Sequence, residues 1–194
     1  MQTKNIMIVG VGGQGTLLAS KVLGRMLLSQ GYDVKVSEVH GMSQRGGSVV
    51  TYVRYGSKVY SPVIDKGEAD IILSFELLEA ARWVEFLRPK GVIITNSQQI
   101  NPMPVIMGAA EYPQSLEEKI RAAGLRIEAI DALSLAREAG TPRAVNLVLM
   151  GMLSRRFDFP EQGWMEVIEK TVPAKFLDIN RQAFLLGRRA NKPE

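Results

Sequence analysis

At 194 residues, with 46% hydrophobic and 23% charged residues, the chain has the size and composition of one globular domain, which excludes a disordered chain and a disulfide scaffold. It has no cysteine and one histidine, His40, which excludes iron–sulfur ligation, a thiolate zinc site, a thiol nucleophile and a poly-histidine metal site within this chain. The net charge of +4 is uneven: residues 1–60 hold seven basic residues (Lys4, Lys21, Arg25, Lys35, Arg45, Arg54, Lys58) against Asp33 and Glu38, a hint of an anionic ligand near this third.

In chain order, the continuous apolar run 6–9, stopped by Gly10, reads as a strand buried on both faces. The turn 10–15 leads into a helix over 16–30, with Gly31 placed to end it, and 34–39 reads as the second strand. Two β-rich arms, 48–55 and 58–63, flank Gly56 and Ser57 and predict an antiparallel hairpin inserted into an otherwise parallel order. A strand over 69–75, a helix over 76–87 and a strand over 91–96 follow. Pro102, Pro104 and Pro113 set a loop around the apolar piece 105–107. Ser115 with Glu118 three residues on has capping-box spacing for a helix over 115–123, and 125–130 is the last strand. From Ala132 to about 190 the chain reads as helical. Thr141 and Pro142 open a helix through 156 that is apolar nearly all round and so is buried, and helices over 161–171 and 173–189 close the chain.

This alternation predicts an α/β fold: a three-layer Rossmann-like sheet, mostly parallel with an inserted antiparallel hairpin, and C-terminal helices, in a single domain over 1–194. No signal segment is expected, because the first apolar run breaks at Gly10, and the most apolar stretch, 144–153, falls short of the roughly 20 residues a bilayer needs. The expectation is a cytoplasmic protein without membrane or nucleic-acid partners, there being no basic run interleaved with aromatics.

Two loops carry chemistry. Gly10, Gly12, Gly13, Gln14 and Gly15 fit G-x-G-x-x-G between a strand and a helix, where the glycines permit a sharp turn and the helix N-terminus offers N–H groups to a phosphate. Glu38 falls at the end of strand two, where a dinucleotide-binding fold places its ribose-binding acid. The second loop holds His40, Ser43, Gln44, Arg45, Gly46 and Gly47, a hydroxyl, an amide, a guanidinium and an imidazole among glycines, suited to an anion or a carbonyl. On the residues alone a nicotinamide or flavin site and a purely structural glycine turn both stand.

The opening G-x-G-G-Q-G, the stretch E-V-H-G-M-S-Q-R-G-G from Glu38 to Gly47 and the following V-V-T-Y-V-R-Y-G resemble the small (beta) subunit of indolepyruvate ferredoxin oxidoreductase, the gamma-subunit or gamma-domain family of 2-oxoacid:ferredoxin oxidoreductases. The resemblance runs on through Phe75, Glu76 and Asn146 to about Gly187, and His40, Gly41 and Met42 tilt it toward the arylpyruvate type. It implies a complex that decarboxylates a 2-oxoacid oxidatively to an acyl-CoA. Thiamine diphosphate, Mg and the iron–sulfur clusters would sit on a large partner subunit, ferredoxin would be reached through the complex, and coenzyme A would be a substrate. The absence of cysteine and of a Gly-Asp-Gly sequence agrees with that division, so no catalytic acid, base or nucleophile is assigned here. On this reading the two glycine loops line a cofactor or substrate approach, with Arg45 and His40 as interface contributors. Homodimerisation of the isolated chain stays open. The rival readings are a self-contained nicotinamide- or flavin-dependent oxidoreductase and a non-catalytic nucleotide-binding assembly module.

Overall fold

The apolar run beginning at Ile6 forms the heart of strand β1 (Lys4–Val11), whose side chains alternate between two cores: Ile6 and Ile8 enter one, Met7 and Val9 the other. A computed structural model describes residues 3–40 and 46–190. After β1 come α1 (Thr16–Ser29), β2 (Asp33–His40), β3 (Ser48–Gly56), β4 (Ala69–Ser74), α2 (Leu77–Arg82), β5 (Leu87–Asn96), α3 (Met103–Ile106), α4 (Leu116–Ala122) and β6 (Arg126–Ile130). Beyond β6 every regular element is helical: α5 (Ala132–Glu138), α6 (Val145–Ser154), α7 (Glu161–Glu169) and α8 (Leu177–Arg189).

The strands form one sheet in the order β2-β3-β1-β4-β5-β6. The neighbours from β1 to β6 are parallel, while β3 runs antiparallel to both β1 and β2, so β3 alone opposes the other five. Helices α1, α5, α6, α7 and α8 cover one face, and α2 and α4 the other, which gives the three layers expected from the sequence. All ten residues of α6 are buried, as its all-round apolarity predicts. It packs on α8, which carries Ala183, Phe184 and Gly187 to the same core.

The structure corrects three local expectations. Residues 58–63 are not a strand, because β3 has both edges taken, by β1 and by β2. The segment is held from the side instead: Asp33 accepts from Val59 N at 2.9 Å, and Arg54 donates to the carbonyls of Ser61 at 3.2 Å and Val63 at 2.7 Å. The antiparallel pairing is therefore made by β3 with its sequence neighbour β2 and with β1. Secondly, Ser115 closes no capping box; it adopts a left-handed φ of 54° and its side chain makes no cap hydrogen bond. Thirdly, the proline-rich stretch after β5 contains a helical turn, α3, and the helix after β4 ends at Arg82, leaving Leu87 to begin β5. Thr141 does cap, its hydroxyl oxygen accepting from Arg143 N at 3.4 Å, but the turn it opens is a 3-10 turn that precedes α6.

Candidate functional site

Because five strands share one direction, β1, β2, β4, β5 and β6 all end at one edge of the sheet, where loops of an open α/β sheet gather ligands. Both glycine segments lie there, and they are joined. Gly12 N donates to Gly47 O at 2.8 Å and Gly46 N to Gly12 O at 3.4 Å, continuing the β1–β3 ladder past its last pair, Val11 with Ser48. Gly10 is still within that ladder, opposite Val49. Gly15 starts α1 with a left-handed φ of 88°, and a Cβ there would sit 2.6 Å from Asn146 Nδ2, so the turn and α6 approach as closely as glycine allows. Gly13 is exposed.

Gln14 stands apart from the other residues of the first loop. Its Oε1 accepts from Val11 N at 2.8 Å and its Nε2 donates to Phe75 O at 3.0 Å, so the amide clips the end of β1 to the residue after β4. Gln14→Ala leaves Val11 N without its acceptor and Phe75 O with the longer bond from Asn96 Nδ2, at 3.3 Å, alone. It is expected to cost about 1–3 kcal/mol, read as a lower midpoint in urea at unchanged slope. His40 is the last residue of β2, opposite Val49. Its side chain, and the candidates Ser43, Gln44 and Arg45, lie outside the described residues.

Glu38 joins Gly12, Gly13, Gly15, Thr16, Leu17 and Val49 around a groove of about 510 Å³. It reaches this groove from two strands away, since β3 lies between β1 and β2. Lateral spacing is then roughly 10 Å, where adjacent strands would give about 5 Å. The glycine turn therefore lacks the neighbouring acid-bearing strand that a simple dinucleotide site uses.

Four of the seven basic residues of the N-terminal third lie away from the glycine edge. Lys4 pairs with Asp70, and Lys35 and Lys58 pair with Asp33, all at the opposite end of the sheet from the glycines. Arg54 lies at that end too, donating to Asn5 Oδ1 at 2.9 Å. On α1, Arg25 is spent on Lys170 O and Thr171, and Lys21 is exposed.

What flanks the glycine segments on the β4 side is acidic and buried, and the sequence reading gave it no role in the site. Glu76, 1% exposed, accepts from Glu79 N at 2.9 Å as the cap of α2, from Ile100 N at 3.0 Å and from the Tyr112 hydroxyl at 2.5 Å. Burial, and then the bond to Glu76, push the Tyr112 phenol above its ordinary range, so it stays a protonated donor. Glu79 accepts from the Ser48 hydroxyl and from Arg82 Nε, the latter at 3.0 Å, tying α2 to the start of β3. The signal in the sequence was an acid directly after a strand and three residues before a second acid, a helix-capping pattern whose burial only the fold reveals. A second cavity, about 440 Å³, runs between Gly46–Gly47–Ser48 and the Pro102–Met103–Pro104 turn.

Among the described residues no group of three or more His, Asp or Glu side chains could hold a metal ion. Glu76 and Glu79 already accept from backbone and side-chain donors, which leaves Glu38 as the one described carboxylate lining the glycine groove, too few for a magnesium-bound diphosphate. The edge is built to hold a shape and to present backbone and glycine surface.

Residues 5–190 match the family described as pyruvate ferredoxin/flavodoxin oxidoreductase. The sequence is 47% identical, over a 198-residue alignment covering 99% of this chain and 98% of the relative, to indolepyruvate oxidoreductase subunit IorB of Thermococcus kodakarensis. It is 38% identical to the subunit of the same name from Archaeoglobus fulgidus, with 94% and 92% of the two chains covered. Among solved structures, the gamma subunit of a keto/oxoacid ferredoxin oxidoreductase from Geobacter sulfurreducens superposes with a TM-score of 0.70 at 19% identity over 95% of each chain. A 2-oxoglutarate:ferredoxin oxidoreductase from Magnetococcus marinus contains the same fold, TM-score 0.73 at 20% identity, within 32% of its chain.

Proposed function

Because the chain belongs to the pyruvate ferredoxin/flavodoxin oxidoreductase family, we propose that it is the small, cluster-free subunit of an indolepyruvate-type ferredoxin oxidoreductase. The observation that carries this reading is the 47% identity over nearly the whole of both chains to a subunit named for indolepyruvate. Identity falls to 27% against ketoisovalerate, 26% against 2-oxoglutarate and 27% against pyruvate relatives, which favours an arylpyruvate substrate.

In this reading the partner is a large subunit carrying thiamine diphosphate, magnesium and the iron–sulfur clusters. Thiamine diphosphate would supply the carbanion chemistry of decarboxylation there, with ferredoxin as the electron acceptor and coenzyme A as the acyl acceptor. The described residues of this chain contribute position. Gln14 fixes the glycine turn, Glu79 holds Ser48, and the joined segments Gly12–Gly13 and Gly46–Gly47 present an edge without bulky side chains. Ser43, Gln44 and Arg45 are proposed to face a carboxylate or coenzyme A phosphate across the subunit boundary, with His40 beside them. The proposed use of ferredoxin and coenzyme A supports a cytoplasmic location for the complex.

Co-expression with a tagged large subunit tests assembly: the two chains are expected to co-purify in fixed stoichiometry, and separation under mild salt would overturn the subunit assignment. In the assembled complex, Arg45→Ala is expected to raise KM for coenzyme A or the oxoacid about tenfold, the loss of one charge-assisted contact. Unchanged KM values for both would remove Arg45 from the site.

A further inference from the structure

We propose that the cleft between α1, the Thr141–Ala144 turn and the start of α8 binds a small apolar α-amino acid. The cleft adjoins the glycine edge, since Arg143 lines both and Asn146 reaches Gly15 O, and has a volume of about 320 Å³. That volume is at the small end of ligand sites and suits a single-ring or branched side chain. Leu18, Val172, Phe176 and Ile179 supply the apolar walls.

Three polar residues line the cleft, of which Asn146 and Asn180 are buried and Arg143 is exposed. Arg143 lines the cleft, and its guanidinium makes no hydrogen bond or ion pair among the described residues. Of the arginines on the neighbouring helices and just beyond them, Arg155 bonds Ala190 O, Arg156 pairs with Glu128, Arg181 with Glu169 and Arg188 with Glu161, while Arg137 and Arg189 make no such contact among the described residues. A fork of unused donors beside an apolar hollow matches a carboxylate. Asn180 is 9% exposed and its Nδ2 donates to Phe176 O at 2.8 Å, which fixes the amide's orientation and leaves Oδ1 an acceptor with no protein partner. Asn146 is 4% exposed, and its Nδ2 reaches only Gly15 O, at 3.4 Å.

A cation and a free acceptor facing one apolar hollow ask for an anion and a donor on one small molecule. An α-amino acid meets all three demands: its carboxylate on Arg143, its ammonium on Asn180 Oδ1, its side chain against Phe176 and Ile179. A 2-oxoacid offers no donor to Asn180 and satisfies the set less well. Lys175 lies 4.8 Å from the Phe176 ring centroid and adds positive charge at that wall, which reinforces the preference for a carboxylate.

The test is calorimetric titration of the purified full chain with L-phenylalanine, L-leucine, phenethylamine and phenylpyruvate. Saturable binding of at least one of the two amino acids is expected, with phenethylamine and phenylpyruvate each at least tenfold weaker. Arg143→Ala is expected to weaken amino-acid binding tenfold or more without moving the melting temperature, because the side chain holds no protein partner. Absence of saturable amino-acid binding, equal binding of phenethylamine, tighter binding of phenylpyruvate, or indifference to Arg143→Ala would each overturn the proposal. None of these measurements uses the large subunit, so they fail or succeed independently of co-purification.

Discussion

Gly187→Val is expected to leave no folded protein at 25 °C, and Gly187→Ala to lower the melting temperature sharply, by more than about 3 kcal/mol of stability. The reason is the crossing of α6 and α8. A Cβ on Gly187 would fall inside contact distance of the Val148 carbonyl oxygen, and one on Gly151 would do the same to the Phe184 carbonyl and lie 2.7 Å from Arg188 N. Each helix thus lends a glycine to let the other's backbone in, three residues along from the point it touches. The atoms met are backbone rather than the ends of flexible side chains, so relief requires moving a helix buried along its whole length. A loss of this size is a large share of the roughly 5–15 kcal/mol that holds a domain folded. Circular dichroism melts of Gly151→Ala and Gly187→Ala read the effect directly. Melting curves within 2 °C of the parent, an ordinary surface-substitution result, would show that the helices do not approach as described.

Glu76→Ala is expected to produce the second largest loss, about 3–5 kcal/mol, without touching the glycine segments. Three donors, Glu79 N, Ile100 N and the Tyr112 hydroxyl, lose their acceptor, and each buried unsatisfied group costs about 1–3 kcal/mol less what relaxation and water recover. Glu76→Gln keeps an acceptor for part of the set but turns an amide N–H toward a donor, so its loss is expected to be smaller than that of alanine. Denaturant unfolding of both variants checks the order. Equal stability of Glu76→Ala and the parent would mean that the carboxylate does not organise the turn after β5. The same bonds hold the Pro102–Met103 turn beside Gly46 and Gly47, and hydrogen exchange at 98–112 is expected to accelerate in the alanine variant.

Much of the fold was legible because its parallel strands are buried on both faces and so read as short unbroken apolar runs, as at Ile71–Ile72–Leu73 and Val92–Ile93–Ile94. Helix α6 was equally plain, since a stretch apolar on every side has only an interior to occupy. The hairpin was misplaced because Gly56–Ser57 is good turn chemistry and the arm after it is β-rich. Pairing, however, is decided by which edges are free, and β3 gives one edge to β1 and the other to β2. Ser115 failed as a box because capping depends on φ at one residue, which the S-x-x-E spacing does not encode.

The site was legible in part. That both glycine segments share one edge followed from strand direction, but their joining by Gly12 and Gly47 depends on β3 lying beside β1. Gln14 looked like a ligand residue by its place in a glycine loop, and its two backbone bonds, which hold the turn, are not encoded in that pattern. Of the charge excess of residues 1–60, Lys4, Lys35, Arg54 and Lys58 are carried to the far end of the sheet, Lys21 and Arg25 lie on α1, and Arg45 lies outside the described residues. Arg143 was invisible for the opposite reason: it has no neighbour in sequence to mark it, and only the cleft makes an unpaired guanidinium informative.

The central claim, that this chain completes an oxidoreductase without carrying its reacting groups, is tested most directly by viologen reduction. Indolepyruvate, phenylpyruvate and pyruvate, each with coenzyme A, would be assayed with this chain alone, the large subunit alone and the two together. The account predicts reduction only by the pair, fastest with an arylpyruvate. Reduction by this chain alone, or a stoichiometric nicotinamide or flavin bound to it, would contradict it.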